Sequence, residues 1–320
     1  MKREPMDPSA ANPETGYLFA PRRRGFAADF LFRLFKEKYL GAVGGIICLI
    51  LLMTGIFADY LAPYGYNDIN PMEALKPSSS KYLLGTDNLG RDMLSRIIYG
   101  ARLSVIVGFA ATAFSIILST LIGITTGFIG GKYDMAMQRF VDGWMCFPGL
   151  VILVVAVSVI GPGVWQIIFV LGLQFGIAGS RVIRGATLSV KENMYVRAAD
   201  ALGASTLRIL MRHILPNIMA PVIILFTTRL AAIILAEASL SFLGLGIPPP
   251  APSWGGMLSG TGRQYMLIAP RMALVPGLAL TIVVYGINLF GDAVRDLLDP
   301  RLRGGGGSYS VGKKAKTAQA

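Results

Sequence analysis

The chain has 320 residues, 53% of them hydrophobic and only 15% charged, with a mean hydropathy of +0.58. Soluble domains carry about 25% charged residues, so this composition points to a bilayer rather than to a water-soluble fold. The net charge of +12 would suit nucleic acid in a soluble protein, but here the placement of the basic residues argues for a membrane and against a nucleic-acid partner.

Residues 1–38 read as a polar tail rich in Pro and Arg, disordered in its first part and without a cleavable signal peptide. Crossing the hydrocarbon takes about 20 mainly apolar residues, and runs of that kind predict six spans. They are Tyr39–Phe57, Leu103–Phe128, Trp144–Ile160, Val164–Gly179, Ile218–Leu240 and Ala273–Phe290. Helices satisfy their backbone polar groups internally, so the expected class is an all-α membrane protein. The chain then divides into a cytoplasmic tail (1–38), a first transmembrane helix (39–58), an extracytoplasmic segment (59–102), a membrane core (103–294) with a loop over 185–216, and a cytoplasmic tail (295–320). With the N-terminus inside, cytoplasmic segments hold 22 of the 30 Lys and Arg residues and outer segments seven, Arg229 lying in a span. That asymmetry predicts two cytoplasmic termini.

The external segment opens with turn residues (Pro63, Gly65, Asn67, Pro71, Pro77). Its end, Asp87–Arg102, predicts a surface helix running into the second span, with Asp92 and Arg96 as a weak i,i+4 pair. Gly123/Gly127, Gly127/Gly131, Gly172/Gly176 and Gly41/Gly45 are spaced for close helix approach, expected chiefly within the chain. Cys48 and Cys146 read as small buried hydrophobes. The second outer segment, Gly244–Arg271, is dominated by Gly and Pro.

Between the fourth and fifth spans lies Tyr195–Pro216, YVRAADALGASTLRILMRHILP. A connecting loop needs only a few residues, yet this one begins with helix-favouring Ala198, Ala199 and Ala201. Gly203 follows, then apolar Leu207, Leu210, Ile214 and Leu215 at helical spacing, interrupted by Arg208, Arg212 and His213. An ordered helix in a membrane-protein loop is suited to meeting a soluble partner. Pro216 suits the start of the fifth span, where its missing N–H costs nothing.

Little else suggests chemistry. A single histidine, His213, excludes His-rich metal sites. Gly307–Lys314 (GSYSVGKK) falls short of a phosphate-binding loop, because Lys314 stands where a hydroxyl residue is needed and no strand precedes it. No catalytic, cofactor or metal residue is expected, and the chain itself is not expected to hydrolyse ATP. Arg229 and Glu237 are the intramembrane ionisable residues, each a functional candidate by default, about 12 Å apart along one helix.

Four blocks together resemble the membrane subunits of ABC importers, specifically the dipeptide/oligopeptide/nickel permease family and its second-permease type. They are LGTDNLGRDMLSRIIYGARLS (Leu84–Ser104), GGKYDMAMQRFVDGWMCFPGL (Gly130–Leu150), the Tyr195–Pro216 loop, and LAEASLSFLGLGIPPPAPSWGGML (Leu235–Leu258) followed by FGDAVRDLLDPRLR (Phe290–Arg303). The resemblance implies a type I importer transmembrane domain with a cytoplasmic coupling helix. It also implies a second permease, two cytoplasmic ATPase subunits that bind ATP and Mg, an extracytoplasmic solute-binding protein, and a bacterial-type inner membrane around them. Arg197, Ala198, Ala199, Asp200, Gly203, Arg208, Arg212 and Pro216 then become candidates for ATPase coupling. Asp87, Arg91, Asp92, Arg96, Glu237 and Trp254 become candidates for outer-face docking or gating. Arg197 departs from the family, whose loop usually carries an acidic residue before the paired alanines; Phe175–Arg181 (FGIAGSR) lacks the Trp or Tyr common in relatives. Peptides are the expected solute from the family's commonest members, with nickel chelates, glutathione and opine- or sugar-type solutes open. An ion-coupled carrier and a structural assembly protein are the rival classes.

Overall fold

The computed structural model describes residues 26–298. The basic C-terminal tail, its Gly307–Lys314 stretch and the Arg22–Arg24 cluster lie outside the described residues. The helices, in chain order, are α1 (Phe26–Glu37), α2 (Tyr39–Ile56), α3 (Ala58–Leu61), α4 (Met93–Ile129), α5 (Gly131–Met145), α6 (Gly149–Ile160) and α7 (Val164–Lys191). They continue with α8 (Met194–Ala201), α9 (Thr206–Ile209), α10 (Met219–Phe242), α11 (Trp254–Leu258), α12 (Gly260–Gln264) and α13 (Arg271–Leu298). Among the described residues, the isolated antiparallel bridge Thr86–Asp92 is the only β pairing.

Among the described residues, five stretches are long and apolar enough to cross a bilayer: Tyr39–Ile56, Met93–Ile129, Val164–Lys191, Thr206–Phe242 and Arg271–Leu298. The expected third span, Trp144–Ile160, is not one helix. α5 and α6 meet at 88°, with Phe147 and Pro148 at the corner. Proline has no N–H to continue the helix and its ring biases the preceding residue away from helical geometry. α6 alone covers about 18 Å, short of the ~30 Å hydrocarbon, so the bent pair makes the sixth crossing only as a unit. The bend also leaves Cys146 exposed, contrary to its expected burial.

The helices run past the predicted spans. α4, at 37 residues, is about 55 Å long, and α7 carries on twelve residues beyond Gly179. These two form the most extensive helix contact in the fold. Small residues make it possible: a Cβ on Gly123 would lie 2.7 Å from the Ser180 carbonyl oxygen, and one on Gly176 would lie 2.8 Å from Leu118 Cδ2. Ser119 Oγ then donates across the seam to the Gly176 carbonyl at 2.8 Å. Gly127 and Gly172 complete it against Thr187 and Phe114, whereas Gly131 touches nothing.

α2 and α13 pair in the same way. A Cβ on Gly44 would intrude on the Gly286 carbonyl and lie 2.7 Å from the Phe290 amide nitrogen. The last part of the N-terminal tail, Phe26–Glu37, is helical. Leu34 of α1 is buried with Ala42, Ala293 and Leu297, and Phe30 and Phe290 pack alongside, so tertiary burial orders what the sequence placed in a tail.

Gly44→Leu should push α2 off α13 and cost roughly 1–3 kcal/mol, as overpacking does. Gly143→Ala, where an added Cβ meets nothing within 4 Å, serves as the control. Thermal melting of the detergent-solubilised protein checks it: only Gly44→Leu should lower the midpoint.

Candidate functional site

The polar segments gather at two opposite ends of the bundle. At one end, Asp87–Asp92 is a tight turn, not the helix expected over Asp87–Arg102. The bridge to Thr86 holds it, and Asp87 N–H donates to the Arg91 carbonyl at 3.0 Å. Asp92 caps α4, its Oδ2 accepting from Ser95 N at 2.8 Å and Ser95 Oγ at 2.7 Å. Asp87 gathers the turn: Oδ1 accepts from Leu89 N at 2.8 Å and Arg91 N at 3.0 Å, and Oδ2 accepts from Arg91 Nε at 2.7 Å. Arg96 lies 3.6 Å from the same oxygen and donates to the Tyr66 carbonyl at 3.1 Å, rather than pairing with Asp92.

These four residues were expected as exposed docking charges, and they are instead buried, Asp87 and Asp92 each at 3% exposure. Carboxylates and guanidiniums that satisfy one another can leave water together. Trp254, another outer-face candidate, is 2% exposed. It donates Nε1–H to the Ile97 carbonyl at 3.1 Å and fills the space Gly100 leaves, where a Cβ would lie 2.7 Å from its ring. Arg271 ties α13 to the cap through the Leu75 and Lys76 carbonyls at 2.5 and 2.8 Å. Farther out, the Tyr82 hydroxyl and then Lys81 pull the Glu73 carboxyl down to about 2. A depressed carboxyl keeps its contribution above its ordinary pKa and loses it as pH falls through the folded value. This outer tie therefore weakens only in strong acid.

The opposite end is built differently. α8 covers Met194–Ala201, and Gly203 closes it, so the helical spacing that continues through Leu207 in the sequence does not prolong this helix. Gly203 N–H donates to the Asp200 carbonyl at 2.9 Å and Ala204 N–H to the Ala199 carbonyl at 3.1 Å, the paired bonds of a Schellman turn. That turn needs the left-handed φ of +77° at Gly203, a conformation costly for a residue with Cβ. An added Cβ would meet nothing within 4 Å, so conformation alone selects glycine here.

One buried side chain fastens α8. Val196 joins Ile209, Ile214, Ile218, Ile124 and Ile183 in a shared core. Lys191 Nζ donates to the Phe128 carbonyl at 2.6 Å, and Arg184 makes a two-pronged bond to Asp134 at 2.6 and 2.5 Å. Arg197 pairs with Glu192 on the rim of a cleft of about 400 Å³ whose wall also includes Asp200 and Thr206. Ala198, Arg208, Arg212 and Pro216 are exposed, and Ala199 half-buried. Of the apolar positions at helical spacing, Ile214 is buried and Leu207 is 70% exposed. Met194 and Leu202, overlooked in the sequence, are 87% and 88% exposed, and Leu207 and Met211 are exposed as well, so this segment turns four large apolar side chains outward.

Pro216 does not start a helix. A π-helical turn over Leu210–Ile214 and a 3-10 turn over Leu215–Ile218 join α9 to α10 without a gap, so Thr206–Phe242 reads as one rod. The wide turn followed by the tight one accommodates the ring that would otherwise clash in a regular helix. Farther along the rod, Glu237 is buried and accepts from Ser241 Oγ at 2.7 Å. Arg229 holds its guanidinium 5.5 Å above the Phe175 ring.

The family described as binding-protein-dependent transport system inner membrane component matches residues 119–304. The N-terminal TM domain of oligopeptide transport permease C matches residues 26–77. The dipeptide transport system permease protein DppC of Alkalihalophilus pseudofirmus is 36% identical over 93% of this chain and 96% of its own length. The glutathione transport system permease protein GsiD of Pectobacterium atrosepticum is 36% identical over 85% of this chain and 90% of its own. The fold matches the inward-facing MetNI methionine ABC transporter, with a TM-score of 0.53 and 18% identity over 65% of this chain and 98% of the other.

Asp92→Ala should remove the α4 cap and lower stability by about 0.5–2 kcal/mol, and Asp92→Asn should recover most of the loss. Chemical-denaturation midpoints of the three proteins in one detergent check the order.

Proposed function

This chain belongs to the family of binding-protein-dependent transport system inner membrane components, and we propose that it forms half of a solute path whose opening is driven through α8. It is the multi-pass permease subunit of an ABC importer. The proposed assembly adds a second permease, two ATPase subunits that bind ATP and Mg, and a solute-binding protein on the other face. The proposed setting is a bacterial inner membrane with both termini in the cytoplasm, supported by the 22-to-7 distribution of basic residues. Dipeptides or oligopeptides are the proposed solutes, the naming of a 36%-identical relative as a dipeptide permease supporting that choice. Glutathione is the second reading, supported by the relatives of equal identity named for it.

The observation that carries the coupling role is the continuity of the chain from α8 through the Schellman turn into the Thr206–Phe242 rod. A partner that grips the exposed apolar side chains of Met194, Leu202, Leu207 and Met211 would apply force directly to the end of a membrane helix. Arg208 and Arg212 on the same segment are exposed, and complementary charge favours register and encounter. At the other end, Asp87, Arg91, Asp92, Arg96 and Trp254 are proposed to hold the outer loops in the shape that a binding protein meets. Glu237, next to the outer cap, is proposed to steady α10 where it meets those loops.

The coupling role predicts a graded series at Gly203. Asn tolerates a left-handed φ and should keep most solute-stimulated ATPase activity in the reconstituted transporter. Val does not, and should lower it about tenfold, the loss that about 1–2 kcal/mol of strain produces, with the protein still in the membrane. Equal activity in both variants would remove the turn from the mechanism. Orientation is checked separately by single cysteines at Ser80 and Ser189, both exposed, in a background lacking Cys48 and Cys146. An impermeant thiol reagent added to intact cells should label only the first.

A further inference from the structure

Arg229 stands near the middle of the 24-residue α10, where a charge is costly unless something balances it. Nothing in this chain does so among the described residues. The helices packed against α10 are α4, α6, α7, α11 and α13, and the first four contain no Asp or Glu. Glu237, on α10 itself, lies two turns away and is bonded to Ser241. Asp296 of α13 is taken by Lys38. Asp292 follows Gly291, which packs on Thr227, and Thr227 lies about 200° around the helix from Arg229. The Nε of Arg229 is buried with no hydrogen-bond partner among the described residues, and the guanidinium rests on Phe175. A cation–π contact offsets only part of the desolvation of a guanidinium.

The side chain is half-buried, so it remains reachable from outside this chain. About 100° around α10 from it, Thr228, Ala232, Leu235, Ser239 and Phe242 recur at three- and four-residue intervals and are left partly or fully uncovered. The far half of this stripe, Leu235, Ser239 and Phe242, lines a groove of about 300 Å³ with Leu150 of α6 and Leu280 of α13. A cation does not face hydrocarbon without an anion, so the face of α10 that carries Arg229 meets the path rather than lipid. The rod bearing Arg229 is continuous with the coupling end, so motion there moves the cation too.

We propose that Arg229 binds the carboxylate of the travelling solute at mid-path, with Phe175 holding the guanidinium between loads. The inference rests on the importer reading above and narrows its solutes to those carrying a carboxylate. A contact shared with an aromatic ring is one that an anion displaces and later yields, as a transport site requires.

The test uses the whole transporter in proteoliposomes, with its partner permease, ATPases and saturating binding protein. Uptake of a dipeptide with a free C-terminal carboxylate is measured beside uptake of its C-terminal amide. Arg229→Gln should lower uptake of the free acid by about tenfold, as loss of a charged hydrogen bond does, and leave the amide unchanged. Arg229→Lys should retain most of the difference. Equal losses for both peptides, or no loss for either, would overturn the assignment. Reduced recovery of the partner permease with Arg229→Gln would also overturn it, by showing that an acid of that subunit is the counter-charge. If the wild-type transporter moves neither peptide, the peptide reading falls, and the same comparison is made with glutathione, where an unchanged Gln variant removes the assignment; normal wild-type peptide uptake with an unchanged Gln variant removes only the assignment.

Discussion

Lipid gives helices no hydrophobic reason to associate, so a membrane bundle depends on how closely its backbones approach. In this protein that approach is made along α4 and α7. Gly123 and Gly127 on one helix and Gly172 and Gly176 on the other remove the side chains that would hold them apart, and Ser119 adds a hydrogen bond across the seam. The remaining elements dock on this pair: α2, α10 and α13 against α4, and α6, α8 and α10 against α7. Because both helices extend beyond the apolar core, the same seam sets where the polar ends fall.

The two ends differ in how firmly they are held. The outer cap is cross-braced by buried charges, by the α4 cap at Asp92, by the Trp254 wedge and by Arg271 reaching back from α13. At the coupling end α8 has one buried anchor, Val196, and an exposed ion pair, Arg197–Glu192, beside it. Elements with few buried contacts move at low cost, so a force applied at α8 displaces the coupling end before it disturbs the cap. The irregular stretch around Pro216 is where the rod bends most easily, since it combines a π turn with a 3-10 turn. Motion delivered there reaches Arg229 and Glu237 along one helix.

Apolar run length located the helices of five of the six predicted spans, because roughly 20 uninterrupted apolar residues leave no alternative to a membrane helix, but only the first kept its predicted ends and α4, α7 and α13 run well past theirs. The fifth predicted span proved to be the outer part of a longer rod. Small-residue spacing likewise announced the α4–α7 seam, and the alanine-rich start of Tyr195–Pro216 announced an ordered helix near its observed place. The resemblance carried by four blocks was enough to identify the family. Gly203 was legible as special, though not as a helix terminator, since a composition pattern does not report the sign of φ.

What the sequence could not decide is how local segments turn against their neighbours. Trp144–Ile160 is apolar enough for one span, and only the corner at Phe147–Pro148 splits it. Phe26–Glu37 is too short to cross a membrane and reads in sequence as part of the tail, yet it packs where Leu34 finds Ala293 and Leu297, some 260 residues away in the sequence. Asp87, Arg91, Asp92 and Arg96 look like surface charges until the chain folds them onto one another, and Arg229, too far along α10 from Glu237 for a direct pair, shows what faces it only when every neighbouring helix has been placed. Periodicity and composition act within a segment and are written in the sequence; burial, charge balance and facing direction depend on which distant segments arrive, and only the packed tertiary structure determines them.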